Sequence, residues 1–311
     1  MVFLVDKRVS KIYTLGFLKM NILTFDIEEW YLRKMRYGET YDKYDVFDSY
    51  LNQILDALEE RGMKGTFFCV GGMATDFPEV VRRIEQHGHE IGCHSNQHTW
   101  LNKMTYEEVK EDTRTAVDAL EQCIGKKVKS YRAPAFSIGE SNPWAFEILS
   151  ACGITRDASV YPAARDFGGF KNFGHKKPVY VVYKGSQIKE FPICTIKLMG
   201  KEFAYSGGGY FRFFPLGFIQ KQMKHADYAM TYFHINDLVQ EMNGLMSKEA
   251  YENYFKEPGT LLNRYKRYVK SNLGKKSAFD KLIKLINTTD FVNLEEADLQ
   301  IDWNDQPLEI L

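Results

Sequence analysis

From Asn21 onward, short unbroken apolar runs alternate with longer stretches whose apolar positions recur every three or four residues. The first pattern marks a strand buried on both faces, the second an amphipathic helix. NILTF (21–25) reads as a strand ending at Asp26. Leu51, Ile54, Leu55 and Leu58 share one face of a helix predicted from Ser49 to Arg61, with Gly62 as its stop. GTFFCVG (65–71) is a second strand, after which Asp76 and Pro78 open a helix carrying Val80, Val81 and Ile84 and closed by Gly88. HEIGCH (89–94) is a short third strand. Thr105 and Glu108 form a capping box before a long helix that ends at Gly125. SYRAP (130–134) is a fourth strand, Asn142–Pro143 starts another helix, and 155–160 is a fifth strand.

This β-α-β-α rhythm predicts an α/β barrel or a doubly wound sheet. The polar residues with chemical potential stand just after strands, where such folds build their sites. The rhythm breaks over 176–209, where VYVVY and IKEFPICTI are extra strands that a hairpin would join, and Gly207–Gly209 make a flexible or tightly turned segment. Helix returns near Pro215–His225, YAMTYF is a strand ending at His234, and 248–287 is mostly helical. Residues 290–311 add a last strand or a loose end. The expected organisation is an appendage over 1–19 and a single catalytic domain over 20–311. Within that domain, 176–215 is an insertion and 240–311 a mostly helical C-terminal extension.

Composition narrows the function. Lys plus Arg and Asp plus Glu each number 41, so no strongly basic face marks a nucleic-acid binder. The five cysteines are scattered without a C-x-x-C pair, which suggests neither a cysteine zinc site nor a disulfide framework. Cys69 and Cys93, inside apolar runs, read as reduced core residues. Asp6, Lys7, Arg8 and Lys11 interrupt the apolar character of the first residues, unlike an export signal, and no run approaches the length of a membrane span. The expected location is the cytoplasm.

Four segments carry candidate chemistry. In HSNQH (94–98), His94 and His98 are four apart and would share one side of a helical turn, so both imidazoles reach one metal. In TFDIEEW (24–30), Asp26 and Glu28 are two apart and point the same way in extended chain. Carboxylates at the end of an apolar strand are costly unless paired, hydrogen-bonded or bound to a cation. Two histidines and one carboxylate leave coordination positions open for water and substrate. Arg132 of YRAPAFS (131–137) can pair with Asp26 and keep it ionised, and His234 of TYFHINDL (231–238) can act as a general acid. The plainer alternatives are a solvated loop, an ordinary surface arginine and structural histidines.

In this order TFDIEE, HSNQH, RAPAFS, DASVYP and YFHIND resemble the five blocks of NodB-homology polysaccharide deacetylases, carbohydrate esterase family 4. HGHEIGCHSNQH (87–98) is particularly close to that family's metal block, and GGGYFRFFP (207–215) is similar to a subgroup with an extra C-terminal region linked to exopolysaccharide synthesis. The resemblance implies a distorted (β/α) barrel with fewer units than eight, and removal of N-acetyl groups from a sugar polymer; the expected cytoplasmic location adds a lipid-linked oligosaccharide at the membrane's inner face as a partner. It implies Asp26 as general base, and Glu28, His94 and His98 around one divalent ion: zinc, with cobalt, nickel or iron also fitting. It further implies Arg132 as the tether of Asp26, the Ala135 backbone at the oxyanion and His234 as general acid. Among the loop aromatics Tyr31, Tyr37, Trp100, Phe136, Tyr161 and Tyr210, those at 136, 161 and 210 are the expected sugar-binding residues.

Two departures from the family pattern stand out. The usual first block has adjacent aspartates; here Ile27 takes the second place and Glu28, or else Glu29, supplies the ligand. The usual fourth block supports the catalytic histidine with an aspartate; here Val160 stands there, leaving Asp237 or Asp157 as substitutes and otherwise a lowered His234 pKa. The rival readings are hydrolysis of another non-peptide amide, a catalytically silent sugar-binding protein and a structural component of an assembly.

Overall fold

The computed structural model of the chain describes residues 19–311 apart from 39–40, 166–167, 241–243 and 256. The expectation of an N-terminal appendage therefore lies outside the described residues, Lys19 apart. The chief sheet has nine strands. In chain order they are β1 (Thr24–Ile27), β2 (Thr66–Cys69), β3 (Glu90–Cys93), β4 (Ser130–Tyr131), β5 (Arg156–Asp157), β6 (Val179–Tyr183), β7 (Ser186–Glu190), β8 (Phe233–His234) and β9 (Leu308–Ile310). Their order across the sheet is β8-β1-β2-β3-β4-β5-β7-β6-β9. All neighbours run parallel except the β6–β7 hairpin. Met20–Ile22 and Tyr228–Met230 pair in parallel and lead into β1 and β8. The expected unbroken strands thus form, each interrupted once.

Parallel strands fed by helical crossovers are covered on both faces, which is why β1, β2 and their neighbours are apolar throughout. Phe25 stacks on Phe67 at 4.8 Å between centroids and packs against Phe233 at 5.6 Å. These rings lock β8, β1 and β2 side by side and so fix the strand ends that carry Asp26 and His234. The Thr105 capping box forms as the sequence predicts, with the Glu108 carboxylate accepting from the Thr105 backbone at 2.7 Å.

Among the described residues the sheet does not close into a barrel by a ladder of strand pairs, and its ends are joined only by isolated contacts. Ile193 N–H donates to the Val160 carbonyl beyond β5, while Ser206 Oγ donates to the Met230 carbonyl at 2.6 Å. Gly207 then makes a single parallel bridge to Tyr232. A Cβ at Gly207 would lie 2.3 Å from the Tyr232 carbonyl oxygen, and Gly208 holds φ +52°, so a close approach and a left-handed turn account for the first two glycines of GGG. Gly207→Ala should therefore cost about 1–3 kcal/mol, the range for forcing an extra carbon into a packed site. A urea unfolding midpoint equal to wild type would show that the gap relaxes freely.

The structure corrects several boundaries. The helix expected from Ser49 begins at Tyr41, and unforeseen helices occupy Glu29–Tyr37 and Gly71–Asp76. HSNQH is an irregular loop rather than a helical turn, with Ser95 and His98 at φ 60° and 58°. The end of the chain is ordered: Asn293 caps a helix over Leu294–Gln300, and β9 pairs with β6. Helices Lys248–Phe255, Leu261–Asn272 and Ala278–Thr288 make up most of the C-terminal extension. No helix among the described residues is long and apolar enough to cross a membrane.

Candidate metal centre and substrate cavity

The HSNQH loop is pinned from outside, which lets it hold left-handed residues at a site. Gly71 and Gly72 N–H groups donate to the Ser95 and Asn96 carbonyls, and Asp112 accepts from the Asn96 N–H at 2.8 Å. The His94 Nδ1 lies 2.7 Å from the Arg132 carbonyl. A carbonyl only accepts, so Nδ1 carries the proton and Nε2 of the neutral ring presents a lone pair. That Nε2 is buried with no hydrogen-bond partner. Glu28 Oε2 is 3.6 Å from His94 Nε2 and 2.5 Å from His98 Nε2. The ligand atoms of Glu28, His94 and His98 lie within 4.8 Å of one another, a set that fits one divalent cation. A buried lone pair without a partner, as at His94 Nε2, is costly in a protein interior and is relieved by an ion.

The adjacent carboxylates divide cleanly. Glu29 turns away from the histidines: its carboxylate accepts from the Asn236 N–H at 2.7 Å and from the Glu28 N–H at 3.3 Å. Burial, with the neighbouring Glu28 charge, pushes Glu29 up to about 7. Glu28 is thus the carboxylate that faces the histidines, and Glu29 ties the loop after β1 to the turn after β8.

Asp26 lies beside this cluster. Its Oδ1 accepts from Arg132 Nη1 at 2.8 Å, and its Oδ2 is 3.7 Å from His234 Nε2. Arg132 is fully buried, donates also to Thr24 Oγ1 and the Ala158 carbonyl, and lies over the Phe68 ring at 4.3 Å. Burial works to raise the Asp26 pKa, but the Arg132 guanidinium, helped by His234, holds the carboxyl below its ordinary value.

Asp237 fills the place that Val160 leaves vacant. It stands 3.2 Å from His234 Nδ1, and Arg212 lies 3.4 Å from its other oxygen. Arg212 belongs to GGGYFR and also donates to the Lys270 and Ser271 carbonyls, joining that motif to the C-terminal extension. Burial opposes protonation of His234, but Glu28, Asp237 and Asp26 outweigh it and push the ring up to about 10. Asp237 is thus the substitute partner, and the lowered His234 pKa, expected only without one, does not arise. Val160 is packed in the core with its N–H on Glu190, and Asp157 is occupied by Ser159 rather than His234.

A cavity of about 520 Å³ opens over these groups, lined in part by Glu28, His98, Ala135 and His234. Ala135 and Phe136 take φ 55° and 54°, a strained pair of left-handed residues that turns the backbone at the cavity wall. Trp100 lines the cavity, but Phe136, Tyr161 and Tyr210 are not brought to it. Phe136 packs edge-on against Tyr232, Tyr161 is buried with its hydroxyl accepting from the Ala204 N–H, and Tyr210 packs on Phe203. Tyr31 is buried as well, and the Tyr37 side chain lies outside the described residues. The sequence reading missed the opposite wall, where the helix Leu261–Asn272 contributes Arg264, Arg267, Tyr268 and Ser271. Their spacing marks one helical face, but a polar face of this kind is indistinguishable in sequence from one turned to solvent.

Strand ends that gather two histidines and a carboxylate beside a buried Asp–Arg pair define the class: an α/β protein with three side chains grouped so that they could hold a metal ion. Residues 19–156 match the model of the family described as polysaccharide deacetylase, and 158–298 match a domain described as of unknown function, DUF3473. Residues 19–156 thus carry a polysaccharide deacetylase domain. The chain is 35% identical over 96 residues to a peptidoglycan-N-acetylglucosamine deacetylase of Bacillus cereus, a match covering 30% of this chain and 35% of that one. It is 28% identical over 123 residues to a peptidoglycan-N-acetylmuramic acid deacetylase of Bacillus subtilis, covering 37% of this chain and 45% of that one. The chain thus spans less than half the length of these relatives. The crystal structure of a candidate polysaccharide deacetylase from Mycobacterium smegmatis superposes with TM-score 0.63 at 16% identity, covering 96% of this chain and 95% of the other, which shows a common fold.

Proposed function

We propose that the protein is a metal-dependent hydrolase that removes N-acetyl groups from an N-acetylated oligo- or polysaccharide and releases acetate, with zinc as the metal. The observation that carries this reading is the convergence of the buried, unpartnered His94 Nε2 with the Glu28 carboxylate and His98 Nε2 beneath an open cavity. A divalent cation held by Glu28, His94 and His98 supplies Lewis acidity toward water and the acetamide carbonyl. Asp26, kept ionised by Arg132, accepts the proton of the attacking water. The backbone at Ala135 faces the developing oxyanion. His234, kept protonated by its carboxylate neighbours, donates to the departing sugar amine so that acetate and a free amine result.

Another non-peptide amide would use the same groups, and the deacetylase relatives favour the sugar amide. The test is acetate release from a panel of N-acetylated oligosaccharides alongside simple amides, before and after chelation. Release should stop on metal removal and return with zinc or cobalt, and His94→Ala should lose metal affinity. Full activity in protein shown by elemental analysis to be metal-free would overturn the proposal, and hydrolysis of simple amides alone would replace its substrate.

A further inference from the structure

The cavity is built asymmetrically in charge. Its carboxylates among the described residues, Glu28, Glu29 and Asp237, all belong to the metal end, and each is engaged there by histidine or backbone N–H groups. The remaining wall carries Arg33, Arg165, Arg264 and Arg267. Arg264 and Arg267 are three apart on the helix Leu261–Asn272, so they occupy the same face, together with Tyr268 and Ser271. That helix contains no acidic residue. Arg264 donates from Nη1 to the Met246 carbonyl at 3.0 Å, which fixes its position, while its Nε is buried without a hydrogen-bond partner. Arg267 is stacked on Phe255, with its guanidinium carbon 4.1 Å from the ring centroid, and Arg165 is stacked on Tyr161 at 4.7 Å.

Stacked and anchored guanidinium groups are held in fixed orientations, an arrangement that suits bidentate oxyanions more than the neutral hydroxyls of a sugar ring. We infer that this wall is a binding subsite for an anionic group, phosphate or carboxylate, carried by the acetamido sugar or its neighbour. The substrate would then span the cavity, with its acetamide at the Glu28–His94–His98 end and its negative group at the arginine wall. This inference rests on the deacetylase reading for the position of the acetamide, but the subsite itself can be examined without turnover.

The experiment is calorimetric titration of the full chain with three probes: N-acetylglucosamine, N-acetylglucosamine 1-phosphate and N-acetylmuramic acid. Each is titrated into metal-loaded and chelator-treated protein, because a cation would itself attract an anion. Both or one of the anionic sugars should bind at least about tenfold more tightly than the neutral one, in the metal-free protein as well, and the advantage should shrink as salt is raised. Preference for the phosphate or for the carboxylate identifies the source of the charge. Arg264→Gln and Arg267→Gln should each reduce that advantage about tenfold; circular dichroism would check that the variants fold, and a variant that fails to fold is replaced by Arg264→Lys, which keeps charge but not the fork. Equal binding of neutral and anionic sugars, or an anionic preference untouched in both folded variants, would overturn the inference. Acetate release measured on the N-acetylated oligosaccharide panel separates the two readings. Anion-selective binding without acetate leaves the subsite standing and removes the deacetylase, whereas acetate released with no charge preference does the reverse.

Discussion

Asp26→Asn is expected to lower the turnover of an N-acetylated sugar by about a hundred- to ten-thousand-fold while leaving the metal content unchanged, the usual loss on removing a general base. The substitution is nearly isosteric. The amide oxygen can still accept from Arg132, now 2.8 Å from Oδ1, so the strand end and the neighbouring Glu28 keep their places. What disappears is the negative charge and with it the capacity to take a proton. The buried Arg132 is left without its counter-ion, and because an uncompensated charge in a protein interior is costly, some loss of stability should accompany the loss of rate. Glu28→Ala should behave oppositely at the metal: the ion is lost and activity follows it. Elemental analysis beside acetate-release kinetics distinguishes the two. A variant Asp26→Asn turning over at the wild-type rate would remove Asp26 as the base, and one that has lost its metal would place Asp26 among the ligands.

The contrast between what could and could not be read from the sequence follows from the range of the interactions. β1 to β5 were legible because each is a short apolar run between helix signals, a pattern set within a few residues. The histidine pair was legible as a pair, but not its geometry. Ser95 and His98 adopt left-handed backbone because Gly71, Gly72 and Asp112 hold the loop from other elements, and no local spacing announces that. The choice between Glu28 and Glu29 likewise depends on Asn236, more than two hundred residues away, whose N–H captures Glu29. The sugar-stacking aromatics failed for a related reason. Phe136 and Tyr161 follow strands, where sites form, yet Tyr232 and the 204–208 segment cover them. Aromatic character alone cannot tell a ring that packs from a ring that binds. The arginine wall is the converse case, a cavity lining written as an ordinary polar helix face.

His234→Ala should depress turnover on a sugar amide by about a hundred- to ten-thousand-fold but affect an activated aryl ester far less. An amine is a poor leaving group unless protonated as the carbon–nitrogen bond breaks, whereas an activated phenolate departs unaided. Only a proton donor produces that split; a residue that merely shapes the cavity would lower both rates alike. The position of His234 supplies the means. Its Nδ1 is held 3.2 Å from Asp237, which leaves Nε2 directed toward Asp26 at 3.7 Å and toward the cavity. Against burial, the charges of Glu28, Asp237 and Asp26 raise its pKa, and of these Asp237 and Asp26 lie outside the proposed metal ligands. The sign of a second substitution follows. Asp237→Asn removes a negative charge next to Nδ1, stabilises the protonated ring less and lowers its pKa. The alkaline limb of the rate–pH profile should then move to lower pH, with the loss of amide turnover growing as pH rises and little loss on the low-pH side. Full profiles of kcat on the sugar amide and the aryl ester, for wild type and both variants, provide the measurement. An alkaline limb that stays in place in Asp237→Asn would show that another group sets it, and equal losses on amide and ester in His234→Ala would assign that side chain to the shape of the cavity instead of to proton donation.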